Sequence, residues 1–159
     1  MFGGSRFRIL TDVDLAANAR FIGWEQTCLG RPASGDTYLG GAFSATWRIS
    51  RSGQPVVNER IAWESDNTLR KHRYGLGKYT IMGTLFASPA DDDVRGLLSG
   101  IISRDPDLLC ATTLLDDVLA VRILAHNART ARQQLLSAWQ ILRPPVLGKR
   151  ATTPRIWAT

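Results

Sequence analysis

Two histidines, His72 and His126, and two cysteines, Cys28 and Cys110, are the residues best suited to nucleophilic, acid–base or metal chemistry in this chain. Acid–base work needs a side chain within hydrogen-bond reach of the proton it moves, and nucleophilic work needs a base beside the attacking group. Neither histidine has a serine, cysteine or carboxylate next to it in a catalytic motif, and there is no GxSxG elbow, no phosphate-binding glycine loop and no HExxH. Gly75-Leu76-Gly77-Lys78 has the residue types of a phosphate cradle without its spacing. Members of a triad can converge from distant positions, so the sequence leaves that route formally open. Structural zinc draws its ligands from short spacings, which these four residues lack. The adjacent Asp91, Asp92 and Asp93 would splay around a helix instead of converging on a cation, and read as an acidic helix start. The expectation is a protein without catalysis and without a tightly bound metal or cofactor.

The elements that position these residues read mostly as strands. Phe7 to Val13 alternates, Ala19 to Cys28 follows, and Thr37 to Arg51 returns through a glycine-bearing turn into Pro55 to Glu64, with Val57, Ile61 and Trp63 facing inward. Gly40-Gly41 inside the third run suggests a bulge or a close backbone approach. Lys78 to Ser88 is a further strand, and Pro89 to about Ile102 opens a short helix. Leu108–Leu115 and Val118–Leu124 form a hairpin apolar enough to be buried on both faces. Asn127 caps a helix whose Ala128, Ala131, Leu135, Ala138 and Leu142 share one stripe, with Pro144-Pro145 expected to stop it at Arg143.

Composition bounds the rest. The 159 residues are enough for one domain, 1–159, with no internal boundary; 44% are hydrophobic and 21% charged, as in a folded globular chain. No apolar run approaches the ~20 residues of a membrane span, and Gly3-Gly4-Ser5-Arg6 does not open a secretory signal. Cys28 and Cys110 read as buried reduced thiols, and the expected compartment is the cytoplasm. A net charge of +6 permits acidic proteins or nucleic acid as partners. The tight cluster Arg70-Lys71-His72-Arg73 comes without a recognition helix, zinc-finger spacing or RNP-like aromatics, so nucleic acid is the less favoured partner.

The centre of the chain is the stretch from Gly23 to Arg48. Gly30 permits positive φ, Pro32 fixes its own and extends Arg31, and Gly35 permits a second bend, giving a stiff corner between two strands. Trp24-Glu25 followed by Gly30-Arg31-Pro32-Ala33-Ser34-Gly35-Asp36 resembles the middle of the urease accessory family UreD, also called UreH. The terminal Pro154-Arg155-Ile156-Trp157-Ala158-Thr159 is similar to that family's C-terminal signature, Arg143-Pro144 and Leu147-Gly148-Lys149 to its lead-in, and Tyr79 to Phe86 to a mid-chain strand. Met1 to Phe7 resembles an internal segment, so the chain looks like the second half of a family member: a truncated gene, a split protein or a fragment.

The resemblance implies a β-helix-like coil of strands with two helices, the second half of a larger coil. It implies a cytoplasmic, non-catalytic scaffold or chaperone for nickel urease that binds the urease apoprotein and UreF-type and UreG-type accessory proteins. Glu25, Arg31, Ser34, Asp36, Arg155 and Trp157 match the motifs and are the candidate structural or partner-contacting residues. Nickel passage would be transient; imidazole and carboxylate groups suit that ion, which makes Glu25 and the histidines eligible. A basic nucleic-acid-binding module and an inactive remnant of a scaffold gene are the alternatives.

Overall fold

Alternating apolar residues make a large part of the chain extended. The computed structural model describes residues 1–31, 34–36, 38, 40–64, 71–105 and 107–158. In chain order its elements are β1 (Arg6–Leu15), β2 (Phe21–Cys28), β3 (Ala42–Arg51), β4 (Gln54–Glu64), β5 (Ile81–Ser88), α1 (Asp92–Gly96), β6 (Ser103–Asp105), β7 (Leu108–Leu115), β8 (Val118–Ala125) and α2 (Ala128–Leu147). Short 3₁₀ turns occupy Ser99–Ile101 and Arg155–Ala158.

The strands form two open sheets. One has the order β1-β3-β4 and the other β2-β5-β8-β7-β6. The pair β1–β3 is parallel, and the other strand pairs are antiparallel. The expected β-helix-like coil is therefore not confirmed, because such a coil stacks parallel rungs whereas hairpins dominate here. What holds is the coarser reading, mainly β with two helices.

The three-stranded sheet lays Phe43, Ala45, Trp47 and Ile49 of β3 against the inner face of the five-stranded sheet, where Met82, Phe86, Val118 and Ala120 meet them. Helix α2 covers the opposite face through Ala131, Leu135, Ala138, Trp139 and Leu142. Gly83 lets it approach: a Cβ there would stand 3.0 Å from the Leu135 side chain. Arg51 ties the layers at one end. Its guanidinium donates to the carbonyls of Ala16, Ala17 and Ala19 and to Ser88 Oγ, and pairs with Asp117 at 3.1 Å.

Several local expectations need correcting. Helix α2 runs through Pro144 and Pro145 to Leu147. The fixed φ of proline suits a last turn, and the end is closed by Gly148 at φ +64°, whose N–H donates to Pro144 O at 2.9 Å. Strand β8 is buried on both faces, but β7 is only half buried, with Ala111 and Thr113 exposed, because the three-stranded sheet does not reach over it. Ile61 points inward at the same uncovered margin and stays 42% exposed. Helix α1 is shorter than expected, although Asp91 caps it by accepting from Val94 N at 2.8 Å. Of the basic cluster, Lys71, His72 and Arg73 are exposed, and Arg70 lies outside the described residues.

Candidate functional site

The corner between β2 and β3 carries the chain from one sheet to the other, and Asp36 holds it. One carboxylate oxygen accepts from Tyr38 N at 2.9 Å, the other from Gly3 N at 3.1 Å, and Arg31 Nε stands 3.6 Å away. These two backbone donors, with a smaller contribution from Arg31, hold the Asp36 carboxyl below its ordinary range. Gly30 has φ +77°, and a Cβ there would stand 2.2 Å from Asp36 O, so only glycine closes this turn. Arg31 and Asp36 also form an isolated backbone bridge, and Ser34 N donates to Arg31 O at 2.8 Å. Arg31 lays its guanidinium over the Phe2 ring, 4.6 Å from the centroid.

Tyr38 completes the corner and was not singled out by its sequence context. It is fully buried at φ +56°, and its hydroxyl lies 2.9 Å from the carbonyls of both Ser5 and Ala42. Gly41 is the signal that pointed there: a Cβ on it would stand 2.4 Å from Ser5 O and 3.0 Å from the Tyr38 ring. The expected close approach is real, although it lies just before β3 and not within it.

At the other end the tail packs on the helix-covered face. Trp157 makes edge-to-face contacts with Trp24, centroids 5.5 Å apart, and with Trp139 at 5.0 Å. Arg132 donates to Trp157 O, and Arg143 donates to Arg150 O while stacking over Trp139. Trp157 is half buried, whereas Arg155 and Ile156 face solvent.

Glu25 belongs to neither group. Alternation along β2 sends Trp24 to the helix side and Glu25 between the sheets. There the register aligns Glu25, Thr84 and Arg122 in one cross-strand row, and Thr11, Trp47 and Glu59 in a facing row of the other sheet. Arg122 donates to Glu59 across the gap. The interlayer is thus two apolar clusters with a polar seam between them. Burial pushes the Glu25 carboxyl above its ordinary value; the Trp47 indole opposes the shift from nearby, but its N–H makes no hydrogen bond in the structure, so burial prevails. Burial also lowers the pKa of Arg122, which still carries its proton at neutral pH. A cavity of about 690 Å³, lined by Ile61, Met82, Ala111 and Leu124 among others, reaches the seam at Thr84 and Arg122. Arg122 could have been found from sequence as the one charge in an otherwise apolar strand; Glu59 had no comparable signal.

The six motif residues therefore make no single site. Arg31, Ser34 and Asp36 build the corner, Trp157 anchors the tail, Arg155 is exposed, and Glu25 lines the seam. Among the described residues no group of three or more His, Cys, Asp or Glu is placed to hold a metal. No helix of the described residues is long and apolar enough to cross a membrane. Cys28 and Cys110 are free thiols, half buried and buried.

Two facing sheets, one backed by a long helix, with a corner and a tail fixed by internal bonds, define a β-rich protein whose motif residues largely serve its own architecture. A family model described as UreD urease accessory protein matches residues 1–158. The chain is 36% identical over 160 residues to the urease accessory protein UreD of Alkalilimnicola ehrlichii, a match covering 100% of this chain and 55% of that protein. It is 33% identical to the UreD of Alcanivorax borkumensis, over 99% of this chain and 54% of that protein. To the UreD of Pseudomonas putida it is 36% identical, over 99% and 55%. The chain belongs to the UreD urease accessory protein family, and it spans about half the length of the curated relatives it matches.

Proposed function

We propose that this chain acts in urease maturation as a cytoplasmic, non-catalytic scaffold that contacts the urease apoprotein and UreF-type and UreG-type proteins while nickel passes to the enzyme. Family membership across residues 1–158 is the observation that carries the maturation role. The seam between the sheets supports the cargo route. Carboxylate oxygen suits a divalent transition ion, and Glu25 and Glu59 would present themselves to nickel singly, as suits transit, not storage. Arg122 holds Glu59, which fixes that carboxylate in position. The 690 Å³ cavity offers the seam an opening from the β7 side.

Co-purification tests the scaffold reading. The Alkalilimnicola relative, with its matching part replaced by this chain, is co-expressed with tagged UreF-type protein and with urease. Retention with UreF or urease is expected. Retention with neither, under conditions where the unaltered relative is retained by both, would remove the reading.

A further inference from the structure

The outward face of the three-stranded sheet carries a charge pattern that neither the corner, the seam nor the tail uses. Alternation places Arg6, Arg8, Leu10 and Asp12 of β1, Ser44, Thr46 and Arg48 of β3, and Asn58, Arg60, Ala62 and Glu64 of β4 on that face. Register sets Arg8 beside Ser44 and Ser44 beside Ala62, with Arg60 one row along, opposite Thr46. Arg6, Arg8 and Arg60 rim a depression of about 590 Å³ floored by Ser44 and Ala62 and bordered by Glu64. Among the described residues the Arg6 and Arg8 side chains have no ion-pair or hydrogen-bond partner, and the Arg60 side chain donates only to Ser44 Oγ, at 3.3 Å. Three exposed guanidinium groups, none of them ion-paired among the described residues, thus surround a floor of small side chains, with Glu64 as the carboxylate at its border. Farther along, Arg48 has its own acid, Asp12, at 4.0 Å.

We propose that this face docks an extended acidic segment of a partner protein, whose carboxylates pair with Arg6, Arg8 and Arg60. Arg6 and Arg8 are two positions apart on one strand, about 6.6 Å, which is also the repeat of alternate side chains on an extended peptide. Guanidinium matches carboxylate in a planar, two-pronged geometry. The floor of Ser44 and Ala62 lets a backbone lie close. Glu64 and Asp12 on the same face repel a continuous phosphate backbone but tolerate a segment whose charges are discrete, which favours a protein over nucleic acid. The inference needs no nickel route and no particular urease partner. The rival role for charges beside an open edge strand is to block strand pairing between copies, which predicts self-association once Arg→Gln removes the charges, with peptide binding unchanged.

The test is fluorescence anisotropy with the intact 159-residue chain and a labelled peptide of about nine residues alternating glutamate and threonine. Two triple variants are compared: Arg6→Glu/Arg8→Glu/Arg60→Glu on the face, and Arg129→Glu/Lys149→Glu/Arg150→Glu elsewhere, with the same change in net charge. The face variant is expected to bind about tenfold more weakly or worse, and the control within about twofold of wild type, with salt weakening wild-type binding. Arg→Gln at the same three face positions should also weaken binding; it replaces the Glu variant if circular dichroism shows that the Glu variant fails to fold. Equal loss in both triple variants would show general charge attraction and overturn the proposal. So would duplex DNA of about 20 base pairs binding the face more tightly than the peptide at matched ionic strength. Self-association by size-exclusion chromatography that the face variant abolishes would place a second copy there and also overturn it.

Discussion

Backbone N–H groups of Gly3 and Tyr38 meet on Asp36, and that carboxylate decides whether the central corner closes. Its folded pKa lies below the ordinary 3.8. It therefore stabilises the fold fully above that value and ceases to do so as pH falls through the lower folded value. Asp36→Ala should lower the thermal midpoint at pH 7 and flatten the acid limb of the stability curve; an unchanged acid limb would mean that the corner does not depend on this charge. Glu25 has the opposite sign. Its folded pKa is raised above 4.5, so burying its charge costs stability as pH rises through the folded value. Glu25→Gln should raise the midpoint at neutral pH and reduce its decline as pH rises above the ordinary 4.5, while slowing nickel delivery if the seam carries cargo. A midpoint lowered at every pH would show that the carboxylate is held by a structural bond instead. The sequence makes the corner legible because Gly30, Pro32 and Gly35 are informative about backbone. It does not make the seam legible, because Glu25, Glu59 and Arg122 come from three strands that only register within one sheet and the packing of the other sheet upon it bring together.

Helix α2 and the tail it receives show the same division between local and distant signals. Asn127 and the apolar stripe announce the helix, and the Asn127 side chain does accept from Arg129 N at 2.7 Å. Its end is misread because proline is disfavoured in helix interiors but tolerated where the closing bonds come from a glycine beyond it. Tail docking follows from the cost of leaving Ile156 and Trp157 in water, yet only Trp157 docks; Ile156 remains 76% exposed. A half-buried tryptophan wedged against two others should contribute less than a fully buried one. Trp157→Ala is expected to cost about 1–2 kcal/mol, below the 3–5 typical of a core aromatic. It should also make the segment after Gly148 more readily cleaved in limited proteolysis. Equal cleavage and an unchanged denaturation midpoint would leave the tail free in solution.

At the scale of the molecule, the layers are uneven, three strands over five, and the uncovered margin at β7 opens the cavity that reaches the seam. Strand positions are legible from alternation, but which strands share a sheet is not, since β2 and β3 adjoin in sequence and separate across the corner. The chain alone, with no group of three metal-ligating side chains among its described residues, is expected to lose nickel and zinc on dialysis against a chelator. One ion retained per chain would contradict transit through single carboxylates. The most direct measurement of the maturation role is nickel per urease active site, by mass spectrometry, after co-expression of urease with its other accessory proteins and a UreD protein whose matching part is this chain. Nickel several-fold above the level reached without any UreD protein, and reduced by Glu25→Gln, is the expected result. Nickel no higher than that level, although the chimera is soluble and abundant, would contradict the maturation role.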